Sequence, residues 1–226
     1  MYFSYYIYMI PAFILMLLAQ WYVSSAYKKW SKVPNQRRIS GSEAASRLMN
    51  SAGLYDVQIE QTQGRLTDHY DPRKKVLRLS PQVAQDASVA SLAIAAHELG
   101  HAQQDQEDYF LLRLRAAMVP AVNIGSYLGW ILIFLGLLIN FLNLAYLGLI
   151  VFSGGAIFAL ATLPVELNAS NRARQMLTTS GLIYTEEEQQ GVNHVLNAAA
   201  LTYVAGLVTA IMQLLYFASL ITGRRR

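Results

Sequence analysis

The chain has 226 residues, 54% of them hydrophobic and only 14% charged, with a formal net charge of +4. Soluble domains carry about 25% charged residues, so this composition argues against an ordinary soluble enzyme and for a membrane protein. The lack of cysteine removes disulfide scaffolds and thiolate metal sites, and the small charge excess gives no footing for nucleic acid.

Residues 1–27 form the first uncharged stretch, longer than the roughly 20 apolar residues that a span needs. Ser24-Ser25-Ala26 resembles a cleavage site. However, a basic leader is missing and the apolar run exceeds a signal core of about 7–15 residues, so the segment reads as a retained anchor. Tyr2, Tyr5, Tyr6 and Tyr8 at one end, with Trp21, Tyr22, Tyr27 and Trp30 at the other, have the pattern of interfacial aromatic belts. Lys28, Lys29, Lys32, Arg37 and Arg38 follow directly and read as a cytoplasmic flank.

Residues 42–52 predict an amphipathic helix with Ala44, Ala45, Leu48 and Met49 on one side and Gly53 ending it. Val57 and Ile59 alternate with polar residues as a short strand would. After the turn Asp71-Pro72-Arg73-Lys74, Val76, Leu77 and Leu79 mark a second strand, which Ser80-Pro81 stops. A strand in this position can be a sheet edge along which an extended peptide adds, or an ordinary structural hairpin. An Ala-rich helix is expected over about residues 86–107, capped by Asp86 or Ser88.

That helix carries His97-Glu98-Leu99-Gly100-His101, an H-E-x-x-H pattern. Residues four apart share a helix face, so His97 and His101 can bind one Zn²⁺ through neutral imidazoles. Glu98 lies beside the metal, where it can take a proton from the activated water. Two histidines and a glutamate are costly on an apolar, small-residue helix without a partner, and a metal supplies one.

Two further uncharged stretches follow, residues 116–165 and 195–222. The first is long enough for two spans and breaks at Asn140-Phe141-Leu142-Asn143, and the second holds one. The domain reading is therefore a membrane anchor at 1–27, a catalytic segment at 28–115 and a two-helix hairpin at 116–165. Residues 166–194 complete the catalytic segment, and residues 195–226 form the last helix and a basic tail. The fold class expected is a mainly α membrane protein. About four transmembrane helices would accompany a small α+β zincin-like domain with the motif on a helix.

Two histidines leave a catalytic zinc one protein ligand short. Glu107 has the spacing used by metzincins, but that arrangement needs a glycine where Gln104 stands. His69 and His194 are available, though a lone histidine is more often hydrogen-bonded than ligating. Glu166 is the better choice. It follows Leu163-Pro164-Val165 where an apolar helix emerges, a costly place for a carboxylate unless it is coordinated or paired with Arg172 or Arg174.

The segments Ala93–Gln104, Asp68-His69-Tyr70-Asp71-Pro72 and Leu196–Ala205 together resemble the YugP-like neutral zinc metallopeptidases, which are bacterial membrane proteins. The likeness covers nearly the whole chain and implies a zinc-dependent peptidase in the bacterial cell membrane. A looser similarity links the chain to HtpX-type membrane gluzincins, in which a glutamate on a later helix completes the zinc site. Glu166 and Ala169 match that pattern, but Ser170 occupies the position of an aspartate that orients a ligand histidine. Asn168 and Asn171 are the residues that could substitute.

The expected function is metal-assisted hydrolysis of peptide bonds in peptide or protein substrates, membrane proteins included. His97, His101 and Glu166 would hold Zn²⁺, Glu98 would act as base, and Tyr203, ahead of His69 and His194, would assist the oxyanion. One alternative is a site-2-type intramembrane protease. Asp86 and the run Gln103–Asp108 leave too short an apolar stretch for a motif helix inside the bilayer. A scaffold with a structural metal is the other, and it would have no use for Glu98. The basic flank puts residues 28–115 and 166–194 in the cytoplasm, which leaves Arg224-Arg225-Arg226 on the outside against the usual bias.

Overall fold

The computed structural model describes residues 2–223, with side chains from Tyr6 onward, so Tyr2, Tyr5 and the Arg224-Arg225-Arg226 tail lie outside the described side chains. The chain is mainly helical and divides into two units, one of Trp21–Leu112 with Val165–Ala200, the other of Met1–Gln20, Arg113–Pro164 and Leu201–Arg226. Four helices among the described residues are long and apolar enough to cross a membrane: α1 (Tyr2–Trp30), α5 (Phe110–Leu138), α6 (Leu142–Thr179) and α7 (Glu186–Gly223).

The first unit contains α2 (Gly41–Ala52), β1 (Gln58–Gln61), β2 (His69–Asp71), β3 (Val76–Leu79), α3 (Pro81–Gln85) and α4 (Val89–Gln106). Helix α2 begins where the Ser40 hydroxyl accepts from the Glu43 amide, and ends at Gly53 in the left-handed region with φ of 70°. Its apolar face, Ala44, Ala45 and Leu48, packs into a core with Leu77, Leu79, Val83, Leu92, Leu99 and Leu196.

Strand β3 lies in the middle of the sheet, parallel to β1 and antiparallel to β2, with Tyr70 opposite Leu77. This corrects the edge reading of the strand before the motif helix. Val76, Leu77 and Leu79 are all buried, which suits a strand paired on both sides. The edge position next to it belongs to β2, a three-residue strand that carries no run of β-formers and was not expected from the pattern. Short α3 was likewise unforeseen. It starts at Ser80-Pro81, where Asp68 accepts from the Ser80 amide (2.7 Å) and the Ser80 hydroxyl (3.0 Å).

Helix α4 starts three residues later than expected because Ser88, not Asp86, is the cap, its hydroxyl accepting from the Ser91 amide at 3.1 Å. Helix α7 starts nine residues before its apolar stretch, at a capping box of Thr185 and Glu188. The Glu188 amide donates to the Thr185 hydroxyl (3.2 Å), and the Thr185 amide to the Glu188 carboxylate (3.2 Å).

The second unit is the apolar one. The α5–α6 connection runs through Ile139–Phe141, with Asn140 at φ of 57°, a conformation asparagine tolerates. The two helices touch at small residues: a Cβ placed on Gly129 would lie 2.9 Å from the Gly148 carbonyl oxygen. Close approach of this kind is how helices associate where no water is available to drive packing.

Candidate metal centre

The Ala-rich stretch before the motif does structural work. Ala90, Ala93, Ala95 and Ala96 are buried and keep α4 slim enough to sit inside its unit, leaving the last turns to carry polar groups. His97 and His101 stand one turn apart, with ring centroids 5.0 Å apart and planes at 84°. The Glu166 carboxylate, from α6, reaches both: its Oε2 lies 3.2 Å from His97 Nε2 and 3.4 Å from His101 Nε2. Ligand atoms of the three residues fall within 4.8 Å of one another. Two imidazoles and one carboxylate form the donor set of a catalytic zinc, and three protein ligands leave a position for water or substrate.

Gly100 makes this approach possible. A Cβ there would lie 2.5 Å from the Ala169 carbonyl oxygen and 3.0 Å from its carbon, so α4 and α6 meet backbone to backbone one turn from Glu166. Gly100→Ala must push the α6 backbone away. We expect a loss of about 1–3 kcal/mol of stability together with weaker zinc binding, measured by thermal unfolding and chelator competition. Unchanged values for both would show that the contact does not position the ligand.

Each histidine is held from behind by a neutral group. The Ser170 hydroxyl lies 3.2 Å from His97 Nδ1, and Gln104 Oε1 lies 3.0 Å from His101 Nδ1. So Ser170, at the position of the aspartate in the HtpX-type pattern, itself reaches His97. Asn168 meets Gln104 and Arg172, and Asn171 accepts from Arg174. Gln104 was missed in the sequence as a contributor to the site. Its signal was a polar side chain three residues after His101, on the same helix face.

The Glu98 carboxylate accepts the Tyr70 amide of β2 at 3.1 Å, and the Tyr70 hydroxyl donates to Asp105, two turns further along α4, at 2.9 Å. Burial holds the Glu98 carboxyl above its ordinary range; the two imidazoles oppose this, and Glu166 and Asp68 add to it. For His101, burial disfavours the charge, but Glu166 and Glu98 outweigh it and raise the imidazole above its ordinary value.

Glu107, Arg174, His69 and His194 have hydrogen-bond or ion-pair partners of their own. Glu107 forms a two-pronged ion pair with Arg172 at 2.6 and 2.8 Å, and Arg174 is held by Asn171, Asn193 and Asn197. His69 meets the Thr67 carbonyl oxygen at 2.8 Å, while His194 accepts from the Trp30 indole at 3.0 Å. Tyr203 is on α7, in the stretch Leu201–Arg226 of the apolar unit.

Four helices long and apolar enough to cross a membrane, and a largely buried His-His-Glu group whose ligand atoms converge closely enough to hold one metal ion, are the features by which the chain can be classed. The chain belongs to the family described as "Putative neutral zinc metallopeptidase", whose model matches residues 5–222. It is similar to a Bacillus subtilis (strain 168) protein named "Putative membrane protease YugP", with 45% identity over 216 residues, 96% of each chain. No solved structure matches it.

Proposed function

We propose that the protein is a membrane-embedded zinc metalloendopeptidase with His97, His101 and Glu166 as metal ligands and Glu98 as general base. The observation that carries this reading is the convergence of the three ligand atoms within 4.8 Å, with Glu98 on the same helical turn as the histidines. Zinc held there would polarise a peptide carbonyl and make water acidic enough to attack at neutral pH. Glu98 takes the proton from that water and returns it to the leaving amine. Its raised proton affinity suits the task, and the Tyr70 amide keeps one carboxylate oxygen in a set position.

Substrates would be extended peptides or proteins, membrane proteins among them. Support comes from β2, an edge strand whose Tyr70 amide touches Glu98, so a chain added along β2 would lie beside the base. Residues 28–115 and 166–194 would form the catalytic domain, of zincin type. The intramembrane alternative is disfavoured because α4, which ends in the polar run Gln103–Gln106, is not among the four helices long and apolar enough to cross a membrane. A purely structural site is disfavoured by Glu98, which such a site does not need.

The test is direct. Purified protein should carry about one zinc per chain, and a chelator should abolish peptide hydrolysis until zinc is restored. Metal-independent hydrolysis, or a protein that binds no zinc, would refute the reading.

Orientation is also proposed: the basic residues in the last turn of α1 and just after it support a cytoplasmic catalytic domain. A cysteine at Ser31 should be protected from an impermeant reagent in intact cells. Labelling there would reverse the assignment.

A further inference from the structure

We propose that Gln104 is a positioning residue: it holds His101 in the one tautomer that turns Nε2 toward the metal, and the helix carrying Glu166 dictates its orientation. The inference rests on the zinc-site reading above. Gln104 is fully buried, so each end of its amide needs a partner.

The nitrogen end can be assigned from its neighbours. It faces the Val165 carbonyl oxygen at 2.8 Å and Asn168 Oδ1 at 2.9 Å. A backbone carbonyl only accepts. The Asn168 oxygen is assigned independently, because Arg172 Nε lies 2.7 Å from it and a guanidinium only donates. Arg172 is itself fixed by the Glu107 carboxylate. Two acceptors therefore face the same end of Gln104, and that end must be the NH₂.

The opposite end is then oxygen, 3.0 Å from His101 Nδ1. An amide oxygen brings no proton, so Nδ1 must carry one. Neutral His101 is left with its lone pair on Nε2, the nitrogen 3.4 Å from Glu166 Oε2. The other tautomer would bury two acceptors against each other, the Nδ1 lone pair and Gln104 Oε1. Val165, whose carbonyl sets this orientation, directly precedes Glu166. The α6 helix thus supplies one ligand and presets a second.

His97 is held differently. The Ser170 hydroxyl, 3.2 Å from its Nδ1, can donate or accept and so selects neither tautomer. The pair is asymmetric, with His101 preset and His97 free to adjust as the metal enters.

The test uses the full-length protein in detergent, with zinc affinity from competition against a chromophoric chelator and imidazole nitrogen NMR on ¹⁵N-histidine-labelled samples. Four histidines keep that spectrum assignable. Zinc-loaded protein should show His101 protonated at Nδ1 and coordinated through Nε2, with the Nδ1 proton slow to exchange. Gln104→Met, close in shape but unable to accept the bond, should weaken zinc binding about 10–100-fold and speed exchange of that proton. Ser170→Ala should leave the His101 signal in place. Unaltered affinity and exchange in Gln104→Met would overturn the proposal. If that variant does not fold, the unmodified protein decides: coordination of zinc through His101 Nδ1 overturns the proposal while leaving the zinc site standing. A protein that takes up no zinc at all overturns both.

Discussion

Replacing Glu98 with Gln should leave zinc content unchanged while peptide hydrolysis falls by at least about 10²–10⁴-fold, the usual contribution of a general base. The ligand set is untouched, because the three converging donors belong to His97, His101 and Glu166. Gln is nearly isosteric with Glu, and its amide oxygen can still accept the Tyr70 amide that Glu98 accepts at 3.1 Å. What is lost is the ability to take a proton from water, which an amide cannot replace. Metal analysis and turnover on one preparation check both halves. A variant that retains full activity would remove Glu98 from the mechanism, and one that loses its zinc would make Glu98 part of the metal's support.

Removing the third ligand should be equally severe by a different route. Glu166→Ala leaves two imidazoles and a cavity, and zinc affinity should fall by more than the roughly 10–100-fold that follows loss of a supporting hydrogen bond. Glu107→Ala should have a far smaller effect. Glu107 sits at the surface in an ion pair with Arg172, and exposed pairs are worth about 0–1 kcal/mol. Chelator competition on the two variants separates them. The reverse ranking would restore the metzincin-like spacing that Gln104 argues against. The contrast has a structural basis, since Glu166 is 1% exposed and points between two imidazoles whereas the Glu107 side chain is half open to solvent.

Local physics made much of this readable in advance. Three uncharged stretches with room for four spans follow from the absence of ionisable residues, because charge in hydrocarbon is costly wherever the chain runs. The His97 and His101 pairing follows from helical periodicity alone, and the end of α2 at Gly53 from the freedom of glycine at positive φ. The capping box of Thr185 and Glu188 is equally local, but a polar first turn carries no hydropathy signal. Glu166 was found as a misplaced carboxylate, a signal that names a residue but not its partners.

Tertiary structure decided what depended on neighbours distant in the chain. The place of β3 in the centre of its sheet is a matter of pairing partners, and β2 is too short to announce itself in sequence. The meeting of α4 with α6 is set by backbone approach at Gly100, which no periodicity reports. The polar support of the histidines likewise waited on packing. Ser170 and Gln104 are unremarkable in sequence, and only the fold brings one to His97 and turns the other between His101 and the Val165 carbonyl. The sequence determined which groups could carry the chemistry, since helix period and side-chain type are local. Their relative orientation was decided only in three dimensions, because a hydrogen bond between residues 61 positions apart exists only once the helices have packed.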